Sequence, residues 1–183
     1  MQREWISNTE TQRQFADFDL AALYNALDAQ RAARGMTWQQ ALHEINAVPW
    51  RVSVHPVARS TVTGLRTKAV AEGDGVLQML RWLNRTPESF VPGCEADSST
   101  ARLPNVPPGQ VLRFDTRKLH EALDAQRIDR RMTWQQVAHE IGGISAASLT
   151  HLKKGGRTGF PFVMRICRWL GRSASSFTRL SDW

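Results

Sequence analysis

A chain of 183 residues, 42% hydrophobic and 22% charged, has globular composition and length for one large domain or two small ones. No run approaches the ~20 apolar residues of a membrane span, and residues 1–5 lack the apolar core of a secretion signal, so a soluble cytoplasmic protein is expected. The net charge of +7 is uneven, with +1 over 1–91, −1 over 92–112 and +7 over 113–183, which points a polyanionic partner toward the C-terminal part.

In chain order, the first feature is half of an internal repeat. Residues 18–45 align with 114–141 at a constant offset of 96, with 18 of 28 positions identical. Both copies share Ala-Leu-Asp-Ala-Gln-Arg, then Met-Thr-Trp-Gln-Gln, then His-Glu-Ile. Beyond Ile45 the offset falls to 87, and 58–90 aligns with 145–177, so the first copy carries nine extra residues within 46–57. Residues 92–112, with four prolines and little apolar periodicity, read as a linker. The expected organisation is a degenerate first domain over 14–91, the linker, and a better-formed second domain over 113–181. Fully stretched, the 21-residue linker would reach ~70 Å.

The second copy reads most clearly. Asp115 caps a helix carrying Leu119, Ala122 and Leu123 on one face and ending near Arg127, Arg130 and Arg131. Thr133 and Gln136 have capping-box spacing, and Trp134, Val137, Ala138 and Ile141 form the apolar stripe of a second helix ending at Gly142 and Gly143. Ser145 caps a third helix, Ala146 to Lys154, before Gly155 and Gly156. A fourth runs from about Phe160 to Leu170, Gly171 closes it, and 173–177 suits a short fifth. Trp38, Trp82, Trp134 and Trp169 all fall on apolar helical faces and read as core.

The run from Trp134 to Lys154, two helices joined by a glycine turn with Ser-x-x-Ser-Leu opening the second, resembles the Cro/C1-type (xenobiotic-response-element) helix-turn-helix family. The likeness covers 113–177 well and 17–90 partially. It implies an all-α fold of two tandem lambda-repressor-like helix-turn-helix domains, each of four to five short helices. It also implies a sequence-specific transcription regulator, a repressor by type, that binds double-stranded DNA in the nucleoid. Ala138 would be the small residue where the two helices cross. Two departures stand out: Gly143 is one glycine more than the usual turn, while the first copy has Leu42 at the crossing and eleven residues, 46–56, where the family has one.

Carried over residue by residue, the resemblance places Ser145, Ala146, Ala147, Ser148 and His151 at base edges in the major groove, with Arg59 and Ser60 their counterparts in the first copy. Arg59 suits a bidentate guanine contact, and Ala146 and Ala147 suit thymine methyls. Gln135, Lys153, Lys154 and Arg157, with Arg66 in the first copy, suit phosphates. The alternative is a protein-interaction module in which one or both copies no longer read DNA. In that case the first copy pairs chains into a homodimer through apolar residues near Trp50, Val52 and Val54. No nucleophile–base signature, phosphate-cradling glycine loop or His-Glu-x-x-His spacing occurs, so neither an enzyme, a cofactor nor a metal is expected. Cys94 and Cys167 read as reduced thiols, one exposed and one buried.

Overall fold

The computed structural model describes residues 17–47, 56–94 and 102–182, and among these the chain is mostly helical. Each copy contributes four α-helices. In the first copy these are α1 (Leu20–Ala33), α2 (Trp38–Ile45), α3 (Arg59–Gly64) and α4 (Gly73–Leu83). In the second they are α5 (Thr116–Asp129), α6 (Trp134–Ile141), α7 (Ala146–His151) and α8 (Phe160–Leu170). A 3-10 turn follows each fourth helix, at Pro87–Phe90 and Ala174–Phe177, and another, Leu152–Lys154, extends α7.

Side chains set these boundaries locally. Asp19 and Asp115 accept hydrogen bonds from the Ala22 and Lys118 amides at the start of α1 and α5. Thr37 with Gln40, and Thr133 with Gln136, form complete capping boxes on α2 and α6. α8 ends on Gly171 at φ 62° and α4 on Asn84 at φ 53°, the left-handed position that asparagine also tolerates.

The insertion in the first copy is closed by one side chain. Asn46 follows α2; its Nδ2 donates to the Val57 carbonyl at 2.9 Å and its Oδ1 accepts from the Val57 amide at 2.7 Å. This reciprocal pair mimics a β-ladder rung, so Val57 enters the core as though the insertion were absent. The apolar residues Trp50, Val52 and Val54 lie outside the described residues.

The expectation of a purely helical chain is corrected by a two-stranded antiparallel sheet. β1 (Gln110–Phe114) pairs with β2 (Thr178–Asp182) from Gln110 opposite Asp182 to Phe114 opposite Thr178. The stretch 92–112 expected as a linker therefore carries a strand from Gln110, and Leu103 and Val106 before it pack against the core. Val111, Leu112 and Phe114 are buried, which holds β1 down, while the mainly polar β2 supplies backbone partners along its length.

The two copies are packed together rather than strung on a tether. Their buried residues form one continuous cluster, from Leu23, Leu27 and Leu77 of the first to Leu119, Phe160 and Ile166 of the second. Where they meet, the Gly73 amide donates to the Thr158 carbonyl and the Phe160 amide to the Ala71 carbonyl, each at 2.8 Å. Gly73 and Phe160 are the same repeat position, as are Ala71 and Thr158. The join thus has an approximate local two-fold axis, beside the bridge between Glu72 and Gly159. Phe18 reaches across it to Phe160, ring centroids 4.5 Å apart, while its repeat equivalent Phe114 lies against Gly73.

Candidate nucleic-acid interface

The α6–α7 pair is built around its turn. Gly142 and Gly143 both have positive φ, 75° and 63°, and the chain re-enters a helix at Ser145. Ser145 Oγ accepts from the Ser148 amide at 3.1 Å and lies 2.8 Å from the Ser148 hydroxyl. α7 buries Leu149, and Leu152 is buried just beyond it, which leaves Ala147, Ser148 and His151 exposed on the outer face. Ala146 is half-buried and packs against the core, so of the two alanines expected at base edges only Ala147 faces outward.

Ala147, Ser148, His151 and Arg157 line one open groove, which continues to Ala69 and Val70 of the first copy. The groove therefore runs from the outer face of α7 toward the two-fold join. Ser145 and Ala146 are not among its lining residues. Gln135 lies elsewhere, in a shallow depression with Arg130 and His139.

Net charge alone overstates what the second copy offers a polyanion. Arg127 pairs with Asp124 at 2.7 Å and also donates to the Met132 carbonyl. Arg130 pairs with Glu140 at 2.8 Å, and Glu140 also accepts from the Trp169 indole N–H at 2.9 Å. The first copy repeats this unit as Arg34, Glu44 and Trp82. Each of the four tryptophans packs against the core, half-buried, with an arginine over its ring. Lys153, Lys154 and Arg157, by contrast, are exposed and form no ion pair among the described residues.

Lys153 lies near a stack of His120 on Trp134, ring centroids 5.3 Å apart. Burial holds the His120 imidazole pKa down and the Lys153 charge adds to that, against Asp124. The first copy has the matching arrangement, with Tyr24 stacked on Trp38 and the Arg66 guanidinium 5.4 Å from the Tyr24 ring. Arg66 and Lys153 occupy the same repeat position. Arg59 and Ser60 are exposed at the start of α3, whose cap residue Ala58 supplies no side-chain hydrogen bond.

Several residues that shape this surface carry no family signature. Arg165 of α8 reaches over the α6–α7 turn, donates to the Gly142 carbonyl at 3.3 Å and pairs with Asp17 of the first copy, Nε to Oδ1 at 2.6 Å. A Cβ on Gly143 would lie 2.0 Å from Arg165 Nη1, which accounts for the extra glycine. Arg117 lies against Gly155 and donates to the Lys154 carbonyl at 3.4 Å. The one signal of the Arg165 role was a change of charge between aligned positions: Asp17 against Arg113, and Gln78 against Arg165. Compared with protein families, curated proteins and solved structures, the chain finds no match.

Proposed function

We propose that this chain is a sequence-specific double-stranded DNA-binding regulator of the helix-turn-helix type, with α7 as its principal reading helix. The observation that carries this reading is the pairing of one exposed helical face, Ala147, Ser148 and His151, with three exposed cations, Lys153, Lys154 and Arg157, that form no ion pair among the described residues. Small side chains let the helix approach base edges closely, and His151 has the length and donors to reach one. The lysines and Arg157 meet phosphates as the helix seats, while Arg66 takes the matching role in the first copy.

The test is equilibrium binding of the whole chain to duplex DNA across a salt series. Affinity falls steeply with salt, because each neutralised phosphate releases counterions. Replacing Lys153 and Lys154 together by alanine weakens binding on all sequences alike and lowers the log–log salt slope by ~2. His151→Ala instead relaxes preference at one base position, by roughly 1–3 kcal/mol. Binding that ignores salt and survives loss of both lysines sinks the proposal.

A further inference from the structure

Resting on that reading, we propose that one chain acts as a built-in heterotypic dimer, whose α3 and α7 together read a duplex with two unlike half-sites in inverted orientation.

The join is two-fold in its backbone but not in its side chains. On one side, Asp17 of the first copy meets Arg165 of α8. On the other, Arg113, the repeat equivalent of Asp17, meets Asp74 of α4 at 2.9 Å. The incoming segment is thus acidic in the first copy and basic in the second, and each meets the opposite sign on the other copy's fourth helix. Two first copies paired through this face would set Asp17 against Asp74, and two second copies would set Arg113 against Arg165. Like charges oppose both combinations, and only first with second is complementary.

Shape gives the same preference. Phe160 fills the join from the second copy, and the equivalent position in the first is Gly73. A Cβ on Gly73 would lie 2.8 Å from the Phe114 ring and 3.0 Å from the Thr158 carbonyl oxygen. A second phenylalanine at that place has no room, whereas two glycines would cost Phe18 the nearer of its two ring partners and leave it Phe90 alone. Charge and volume therefore both select first with second, the pairing that this chain makes within itself.

A local two-fold presents equivalent helices to DNA as a symmetric dimer does, in inverted half-sites. Here the helices differ: α3 offers Arg59 and Ser60, while α7 offers Ala147, Ser148 and His151. Arg59 matches guanine and Ala147 matches a thymine methyl, so the two halves of the site differ in sequence. The first copy, thin in phosphate-binding cations, reads DNA because the second holds it in place.

The experiment is selection of the whole chain on a random-sequence duplex pool, followed by mass measurement of the complex on the selected duplex. The expected result is one chain per duplex and two unlike sequence blocks. Arg59→Ala then loses preference in one block and His151→Ala in the other, each by roughly 5- to 100-fold. Duplexes carrying either block twice bind more weakly than the selected one. A palindromic site holding two chains, or both substitutions acting on one block, overturns this inference but leaves DNA reading intact. Failure to enrich any duplex overturns both. For the interface, Asp17→Arg and Arg165→Asp each lower the unfolding midpoint and the double reversal restores it. A double variant no better than the worse single variant counts against the pairing argument.

Discussion

Gly142 and Gly143 are adjacent and both hold positive φ, yet they are glycine for different reasons. A Cβ on Gly142 meets nothing within 4 Å, so Gly142→Ala costs only backbone strain, about 1–3 kcal/mol at φ 75° and ψ 146°. At Gly143 the added atom meets the end of Arg165. A loose arginine would swing aside easily; this one is held by Asp17 and the Gly142 carbonyl. Gly143→Ala is therefore expected to cost its strain plus about 1 kcal/mol for the loosened pair. In urea unfolding, that extra cost disappears in an Arg165→Ala background, while the cost of Gly142→Ala is unchanged there. Equal behaviour of the two glycines would remove Arg165 as the reason for the second. A different residue sets the acid limit. Burial pushes Glu140 up, but the Trp169 indole and Arg130 hold its pKa below the ordinary 4.5. Arg34 and Trp82 do the same for Glu44. A depressed carboxylate pKa gives stability that is present above the unfolded value and lost as pH falls through the folded one. Stability should thus decline below about pH 4.5, and Glu140→Gln should lower it at neutral pH while flattening that decline.

Among the elements, the α2–α3 connection shows how an insertion is tolerated. The chain leaves at Ile45 and returns at Val57, and the Asn46 amide is what holds the two ends together. Asn46→Ala leaves a part-buried amide and carbonyl of Val57 without those partners, at an expected cost of roughly 1–3 kcal/mol in denaturant unfolding. Asn46→Asp keeps the shape but turns a carboxylate oxygen toward the Val57 carbonyl, so it should be destabilising too. Stability unchanged in both variants would mean that something else closes the insertion. Such closure was not legible in the sequence, whereas the helices largely were. Asp115, Thr133 with Gln136, Ser145 and Gly171 act within a few residues of themselves, and local spacing is what periodicity and capping rules read. β1 was missed because its partner lies at the other end of the second copy, in a segment whose polar residues show no alternation. The site was half legible. The exposed Ala147, Ser148 and His151 of α7 came from the family resemblance, and the Asp124–Arg127 pair, though only three residues apart, was not read. That Arg130 belongs to Glu140, while Lys153, Lys154 and Arg157 form no ion pair among the described residues, depends on contacts ten or more residues apart.

At the scale of the whole molecule, the join decides whether the copies behave as one body or two. A flexible linker between independent domains would let either copy open without the other. Here Phe160 is fully buried between rings from both sides, with Phe18 of the first copy at 4.5 Å and Phe114 of the second at 5.4 Å. Removing its ring opens a cavity that belongs to both copies at once, and Phe/Trp→Ala changes in cores cost roughly 3–5 kcal/mol. If the copies form one cooperative unit, that loss must appear equally in helices far from the substitution. Hydrogen exchange can read it locally, because the most protected amides open only with the unit that contains them. In Phe160→Ala, amides of α1 around Leu23 and Leu27 should lose the same opening free energy as those of α5 around Leu119 and Leu123. Calorimetric and van't Hoff enthalpies should also agree, as for a single transition. Loss of protection confined to α5 and its neighbours would make the first copy a separate folding unit. The fixed geometry that the proposed reading by two helices requires would then no longer hold.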